Sequence, residues 1–258
     1  IRRQRQMCIR DRDYKRFYAD AIAQGKVRYP GFSFHDDAKA FLRILHDWDQ
    51  WGMCQVQMNI LDDENQATLE GIREAGRRGV GVVVMEPLRG GLLANPPVDV
   101  KAVYDAYAVR RSPVEWGFRY LYAMPEVITI LSGMSTWAQV TDNLRIFDMA
   151  KRPTLTDEEL ALYQKVKATY LARTKTRCTG CKYCQPCPMG VQIPRIFQGY
   201  DAAMLRADSS FKAGYAQIQA DHADASQCIH CRKCEHVCPQ HLPITRFLEE
   251  IHAASAAE

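Results

Sequence analysis

The chain has 258 residues, 47% of them apolar and 25% charged, with ten cysteines and a formal net charge of +4. This composition excludes a disordered chain, and no run approaches the roughly 18 apolar residues of a membrane span. The charge is local: residues 1–12 hold five Arg and one Asp, and the rest balances to zero, so the body of the protein does not read as nucleic-acid-binding.

Residues 1–12 have no periodicity and read as a non-native scar at the broken end of a truncated chain, with a natural basic arm or a short transit peptide as the alternative. A helix over 13–24 carries Phe17, Tyr18, Ala21 and Ile22 on one face and stops at Gly25. A strand over 27–32 is weakened by Pro30. Asp36 caps a helix bearing Phe41, Leu42 and Leu45, and a strand follows over 53–59. An amphipathic helix over 65–78 ends at Gly79, before a valine-rich buried strand over 80–86. Ser112-Pro113 is an N-cap with Pro at the first helical position, opening a helix to about Ala123. A strand over 127–131 and a helix over 137–149 complete four strand-then-helix units.

Such alternation predicts parallel strands joined by right-handed crossovers. The spacing is barrel-like, but four parallel strands cannot close a barrel and leave two unpaired edges and an exposed hydrophobic inner face that favours association. No G-x-G-x-x-G follows a strand. Lys151-Arg152-Pro153 breaks the pattern, and Thr156 with Glu159 forms a capping box for a helix carrying Tyr163, Val166 and Tyr170. The expected domains are therefore a partial barrel over 13–150, a connecting helix region over 151–177 and a cysteine-rich domain over 178–258. In the last, helices over 193–205 and 244–251 each follow a cysteine group, a small internal duplication.

Eight of the ten cysteines fall between residues 178 and 238. Two-residue gaps are metal-ligand spacing and suit an intracellular, cytoplasmic protein better than a disulfide framework. The run Cys228-x2-Cys231-x2-Cys234-x3-Cys238-Pro239 is that of two-cluster ferredoxins, where three cysteines hold one [4Fe–4S] cube and the fourth reaches the other. Cys178-x2-Cys181-x2-Cys184-x2-Cys187-Pro188 repeats it one residue tighter. Two [4Fe–4S] clusters are expected: Cys178, Cys181, Cys184 and Cys238 on one, and Cys228, Cys231, Cys234 and Cys187 on the other. The rival is a pair of structural zinc sites, which also use C-x2-C pairs. Cys54 reads as a buried core residue, and His230 and His236 read as solvated loop residues.

Four stretches then form a familiar series. They are Gly25-Lys-Val-Arg-Tyr-Pro-Gly-Phe-Ser-Phe-His-Asp36, Gln55-Val-Gln-Met-Asn59, Val84-Met-Glu-Pro-Leu-Arg-Gly-Gly91, and Leu131-Ser-Gly-Met-Ser-Thr136 with Gln139 and Asn143. In this order they resemble the C-terminal half of an aldo/keto reductase barrel. With the cysteine region, residues 13–258 resemble the branch of that family fused to a ferredoxin-like 2[4Fe–4S] domain. The resemblance implies the C-terminal half of a (β/α)8 TIM barrel binding NADPH at the C-terminal ends of its strands, followed by a small helix-rich dicluster domain. It implies that Ser33 and Gln55 hold the nicotinamide amide and that Leu88 and Gly90 pass the pyrophosphate. It implies that Gly133, Ser135, Gln139, Asp142 and Asn143 hold the adenosine end.

The chain departs from the family at Phe34, often Asn, and at Met85, where an aromatic ring usually stacks on nicotinamide. The family's catalytic Asp, Tyr, Lys and His belong to its first four units. Tyr14 and Lys15 precede the fifth and are not those residues, so no catalytic residue is assigned. The implied function is an NADPH-linked iron–sulfur oxidoreductase with a small carbonyl substrate and an electron-transfer protein as partner, of which this stretch lacks the catalytic half. The alternative is a dicluster electron carrier or docking module on a non-catalytic barrel scaffold.

Overall fold

The computed structural model describes residues 14–148, 152–178, 180, 182–238 and 240–256. The expected scar, with Cys8, lies outside them, as do Cys181 and Pro239.

Four parallel strands, β1 (Gly31–Ser33), β2 (Met53–Gln57), β3 (Gly81–Met85) and β4 (Val127–Ile130), pair in sequence order. Period-2 alternation decides what each strand buries. On β2, Cys54 and Val56 are buried while Met53, Gln55 and Gln57 stand half exposed on the other face. The helices α1 (Tyr14–Ala23), α2 (Ala38–Asp47) and α3 (Thr68–Arg77) alternate with these strands. Phe41 and Leu45 of α2 and Ile72 and Ala75 of α3 close the core with Cys54, Val56, Val82 and Val84. The opposite face is mixed: Ser33, Gln55 and Gln57 share it with Met53, Val83 and Met85.

Two local expectations shift by a few residues. The first strand begins at Gly31, not residue 27, because Pro30 has no N–H for a ladder; its carbonyl instead accepts from Gly52 N at 2.8 Å. The cap of α2 is Asp37, whose Oδ1 accepts from Ala40 N at 2.8 Å, while Asp36 Oδ1 accepts from Asp37 N. At α1, Tyr14 and Lys15 both bind Asp47, and Tyr14 and Tyr18 stack on Trp51 and Trp48. They therefore pin α1 to the end of α2.

Helix α5 (Pro113–Tyr122) starts as its sequence predicts: Ser112 Oγ accepts from Glu115 N at 3.1 Å, with Pro113 first in the helix. Ser112→Ala should cost about 1 kcal/mol, read as a lower urea midpoint with unchanged slope. Helix α6 is Trp137–Phe147, with the capping box of Thr136 and Gln139. Helix α7 (Asp157–Arg173) starts at a second box, Thr156 with Glu159.

The chain divides into two compact units. One takes the residues up to Ala94 together with Arg111–Leu160 and contains the sheet. The other takes Asn95–Arg110 together with the residues from Ala161 onward. Asn95–Arg110, assigned by sequence to 13–150, falls in the second unit. It contains α4 (Val98–Asp105), a helix sequence reasoning did not find, whose Asp99 pairs with Arg173 at 2.8 Å and whose Val100 and Tyr104 are buried. The rest of the second unit is helical: α8 (Ile193–Arg206), α9 (Ser210–Ala220), α10 (Lys233–His236) and α11 (Ile244–Ala256). Phe197, Tyr215, Ile218, Leu248 and Ile251 form its core, and five of its cysteines pack against that core from partly buried positions. Among the described residues no helix is long and apolar enough to cross a membrane.

Candidate metal centres and strand-end site

Each cysteine run is a loop pinned by a carboxylate or amide. Before the first run, Asp201 of α8 accepts from Lys175 N, Thr176 N, Thr176 Oγ1 and Arg177 N at 2.7–3.0 Å. Gln185 ties the loop's far side, donating from Nε2 to Val191 O at 2.9 Å and accepting Cys187 N at 3.3 Å. In the second run, Glu235 Oε1 accepts from Thr245 N and Thr245 Oγ1, both at 2.8 Å, fastening α10 to α11. Positive φ at Gly180, Lys182, His230 and Arg232 bends the backbone tightly within the runs.

These loops enclose two spaces. Cys228, Cys231 and Cys234 line a cavity of about 200 Å³ with Cys184 and Cys187 of the first run. Cys178 and Cys184 line a smaller one, about 20 Å³, with Cys238 of the second run. The structure thus brings Cys187 to the second run and Cys238 to the first. Among the described residues, no three His, Cys, Asp or Glu converge on a single-ion site; the thiols stand around spaces walled by Pro186, Val191, Ile193 and Leu248. A thiol-only donor set in an apolar surround fits iron–sulfur cubes. Burial pushes the Cys234 thiol up to about 11, with the Glu235 carboxylate adding to the rise; a bound iron reverses this, because a coordinating thiol is deprotonated. Cys54 is a core residue of β2, its thiol pushed up to about 12 by burial. His230 stands exposed, 3.5 Å from Glu249.

The nine predicted cofactor residues lie on β1, in the middle of β2, in the loops after β3 and β4, and, for Gln139, Asp142 and Asn143, on α6. Ser33 ends β1, exposed, in register with Gln55 on β2. Gln55 Nε2 lies 3.6 Å from Met85 Sδ, so the departure at Met85 borders the predicted nicotinamide position. Leu88 and Gly90 sit in the loop after β3, with Gly90 and Gly91 at positive φ. An added Cβ would meet nothing within 4 Å at Gly91 or Gly133, so both backbones are open to a ligand. Ser135 N donates to Gln139 Oε1 at 2.8 Å, Asp142 pairs with Arg145 at 2.9 Å, and Asn143 Nδ2 donates to Ser132 Oγ at 2.9 Å. These contacts hold the α6 start in shape. Phe34 is buried against Phe41, which makes it core.

Sequence reasoning missed a buried polar network beneath this edge. Asp62 Oδ2 accepts from Gln57 Nε2 and Asn59 Nδ2, both at 2.8 Å, with Arg89 Nε 3.6 Å away. Asn59 Nδ2 also donates to Glu86 O, and Gln66 Nε2 to Gln57 Oε1, both at 3.0 Å. The network joins the loops after β2 and β3. An Asn and an Asp three apart just past a strand were the available signal. Asp62→Ala strands buried donors and should cost about 2–4 kcal/mol; denaturant melting checks it, and iron content should not change.

A parallel strand–helix array followed by cysteine-lined cavities defines an α/β protein with an attached iron–sulfur module. The family model of the aldo/keto reductase family matches residues 13–168, more than half of the chain, and that of the 4Fe-4S dicluster domain matches residues 177–242. The chain belongs to the aldo/keto reductase family, and its fold is a partial (β/α) barrel followed by a helical dicluster domain. Among solved structures it is similar to the holo and apo forms of aldo-keto reductase AKR11C1 from Bacillus halodurans, at 25% identity and a TM-score of 0.47. These matches cover 57% of this chain and 53% and 54% of those chains. It is also similar to the thermostable aldo-keto reductase Tm1743 in complex with the inhibitor epalrestat, at 23% identity and a TM-score of 0.46, over 58% of this chain and 52% of that one. The chain spans about half the length of the solved structures it matches. No curated protein matches it.

Proposed function

We propose that the chain is part of a cytoplasmic iron–sulfur oxidoreductase that binds NADPH, acts on a small carbonyl compound and exchanges electrons with a partner protein. The grouping of Cys187 with Cys228, Cys231 and Cys234, and of Cys238 with Cys178 and Cys184, carries this reading. Cys181 completes the second group by its spacing, giving two [4Fe–4S] clusters with exchanged fourth ligands. When bound, the clusters supply one-electron transfer and NADPH supplies hydride.

The chain's own residues bind and orient. Ser33 and Gln55 offer side-chain donors and acceptors to the nicotinamide amide. The backbone at Leu88 and Gly90 faces the pyrophosphate, beside the loop held by Asp62. Gly133 and Ser135 leave room for the adenosine end, and Gln139, Asp142 and Asn143 fix that edge. No residue of this chain is given the proton-donor role, and we expect this stretch alone not to reduce carbonyl compounds.

Isolation without oxygen, followed by iron and acid-labile sulfide assays and NADPH titration of tryptophan fluorescence, tests the reading. Matched iron and sulfide with saturable NADPH quenching are expected. Stoichiometric zinc without sulfide would overturn the clusters. Clusters without NADPH binding would favour the electron carrier on a barrel scaffold, a reading to which Met85 beside Gln55 lends weight.

A further inference from the structure

The two cysteine-lined spaces differ in the exposed residues around them. Around the smaller one, Cys238, Phe197 and Ile244 are buried, and the exposed residues, Lys182 and Gln240, are polar. Around the larger one, Cys231 is exposed, and so are four large apolar side chains: Tyr183 (67%), Ile229 (60%), Val237 (52%) and Met189 (41%). Isolated exposed apolar residues need no explanation, but four rimming one cavity form a patch, and such patches mark interaction sites.

The charge on that patch has one sign. Arg232 and Lys233 are the charged residues lining that cavity, and both are exposed. Neither nearby acid lines the cavity: Glu235, half-buried, accepts twice from Thr245, and Glu249 faces His230 at 3.5 Å. An apolar centre with a basic rim fits a partner whose docking face is apolar and acidic.

We propose that this face of the dicluster unit, centred on Ile229 and Tyr183 and rimmed by Arg232 and Lys233, docks an acidic one-electron carrier protein. This rests on the cluster reading above and deepens it by naming the exit. Electrons pass through the group of Cys187, Cys228, Cys231 and Cys234, whose Cys231 reaches the surface, while in the other group Cys238 is buried and Cys178 and Cys184 are half-buried. One electron leaves one protein and enters the other, and no atom crosses the interface. Basic side chains at the rim speed encounter, and the apolar centre sets how long the complex lasts.

The test is binding of the cluster-loaded chain to an acidic flavodoxin, followed by titration at low and physiological salt. Binding that weakens with salt is expected, since screening shortens the reach of rim charges. The double variant Arg232→Glu, Lys233→Glu should weaken it at least tenfold and Ile229→Ser several-fold, with iron and sulfide contents unchanged. Lys165→Glu, on the exposed face of α7, should bind as the parent does. Absence of flavodoxin binding, equal affinities for parent and double variant, or equally tight binding of a basic cytochrome c overturns the docking surface and leaves the clusters standing. So does self-association that Ile229→Ser abolishes, which would make the patch an interface between copies. A chain without iron and sulfide overturns the cluster reading itself.

Discussion

Cys238→Ala should abolish the cluster of the first cysteine run, although Cys238 belongs to the second. The expectation follows from placement: Cys238 lines the small cavity with Cys178, Cys187 lines the large one with Cys228, Cys231 and Cys234, and Cys184 borders both. Each run wraps three corners of a cube and sends its fourth thiol across. Double variants separate this from an uncrossed arrangement. Cys178→Ala combined with Cys238→Ala should lose one intact four-iron cluster and keep the other, because both substitutions fall on the same group. Cys228→Ala combined with Cys238→Ala should lose both. The uncrossed arrangement predicts the reverse. Mössbauer counting of intact four-iron clusters reads the difference, even where a three-iron remnant persists. Because metal binding to such loops is coupled to folding, the variant losing both should also lose much of the helical signal of the second unit. A Cys228/Cys238 variant that retains an intact cube would contradict the crossing.

The legible parts of this chain are those whose physics is local. Ser112-Pro113 and Thr156 with Glu159 act as caps because a cap needs only its own next three residues. The cysteine runs were legible because their spacing is itself the chemistry. Helix α9 was not: Ser209 makes no side-chain cap bond, and the helix is held by Phe211, Tyr215 and Ile218 packing into a core assembled from distant residues. Helix α4 escaped for a similar reason, its anchor being Arg173, far along the chain. The Asp62 network joins two loops across the sheet, which no window of sequence contains. The strand-end residues came by family resemblance; spacing alone would have left Ser33 and Gln55 as polar residues on a half-exposed face.

Asp201→Ala should be the most damaging substitution outside the cysteines. The carboxylate is buried on α8, yet four donors converge on it: Lys175 N at 2.9 Å, Thr176 N at 3.0 Å, and Thr176 Oγ1 and Arg177 N at 2.7 Å each. These residues lead directly into Cys178, and Arg177 is held at positive φ, a conformation costly to a side-chain-bearing residue unless its surroundings enforce it. Bonds to a charged acceptor contribute about 1.5–3 kcal/mol each, but donors sharing one carboxylate do not add independently. A net loss of about 3–5 kcal/mol is therefore expected, seen as a lowered denaturant midpoint. Asp201→Asn separates hydrogen bonding from packing. It keeps the volume but turns an NH2 toward groups that are themselves donors, so it should cost nearly as much as alanine. The release of the loop should also be selective. The cluster held in part by Cys178 should be lost first to chelator or oxygen, while the one among Cys187, Cys228, Cys231 and Cys234, whose loop is pinned by Glu235, persists. A midpoint close to the parent's, or loss of both clusters at one rate, would show that Asp201 does not hold the first loop.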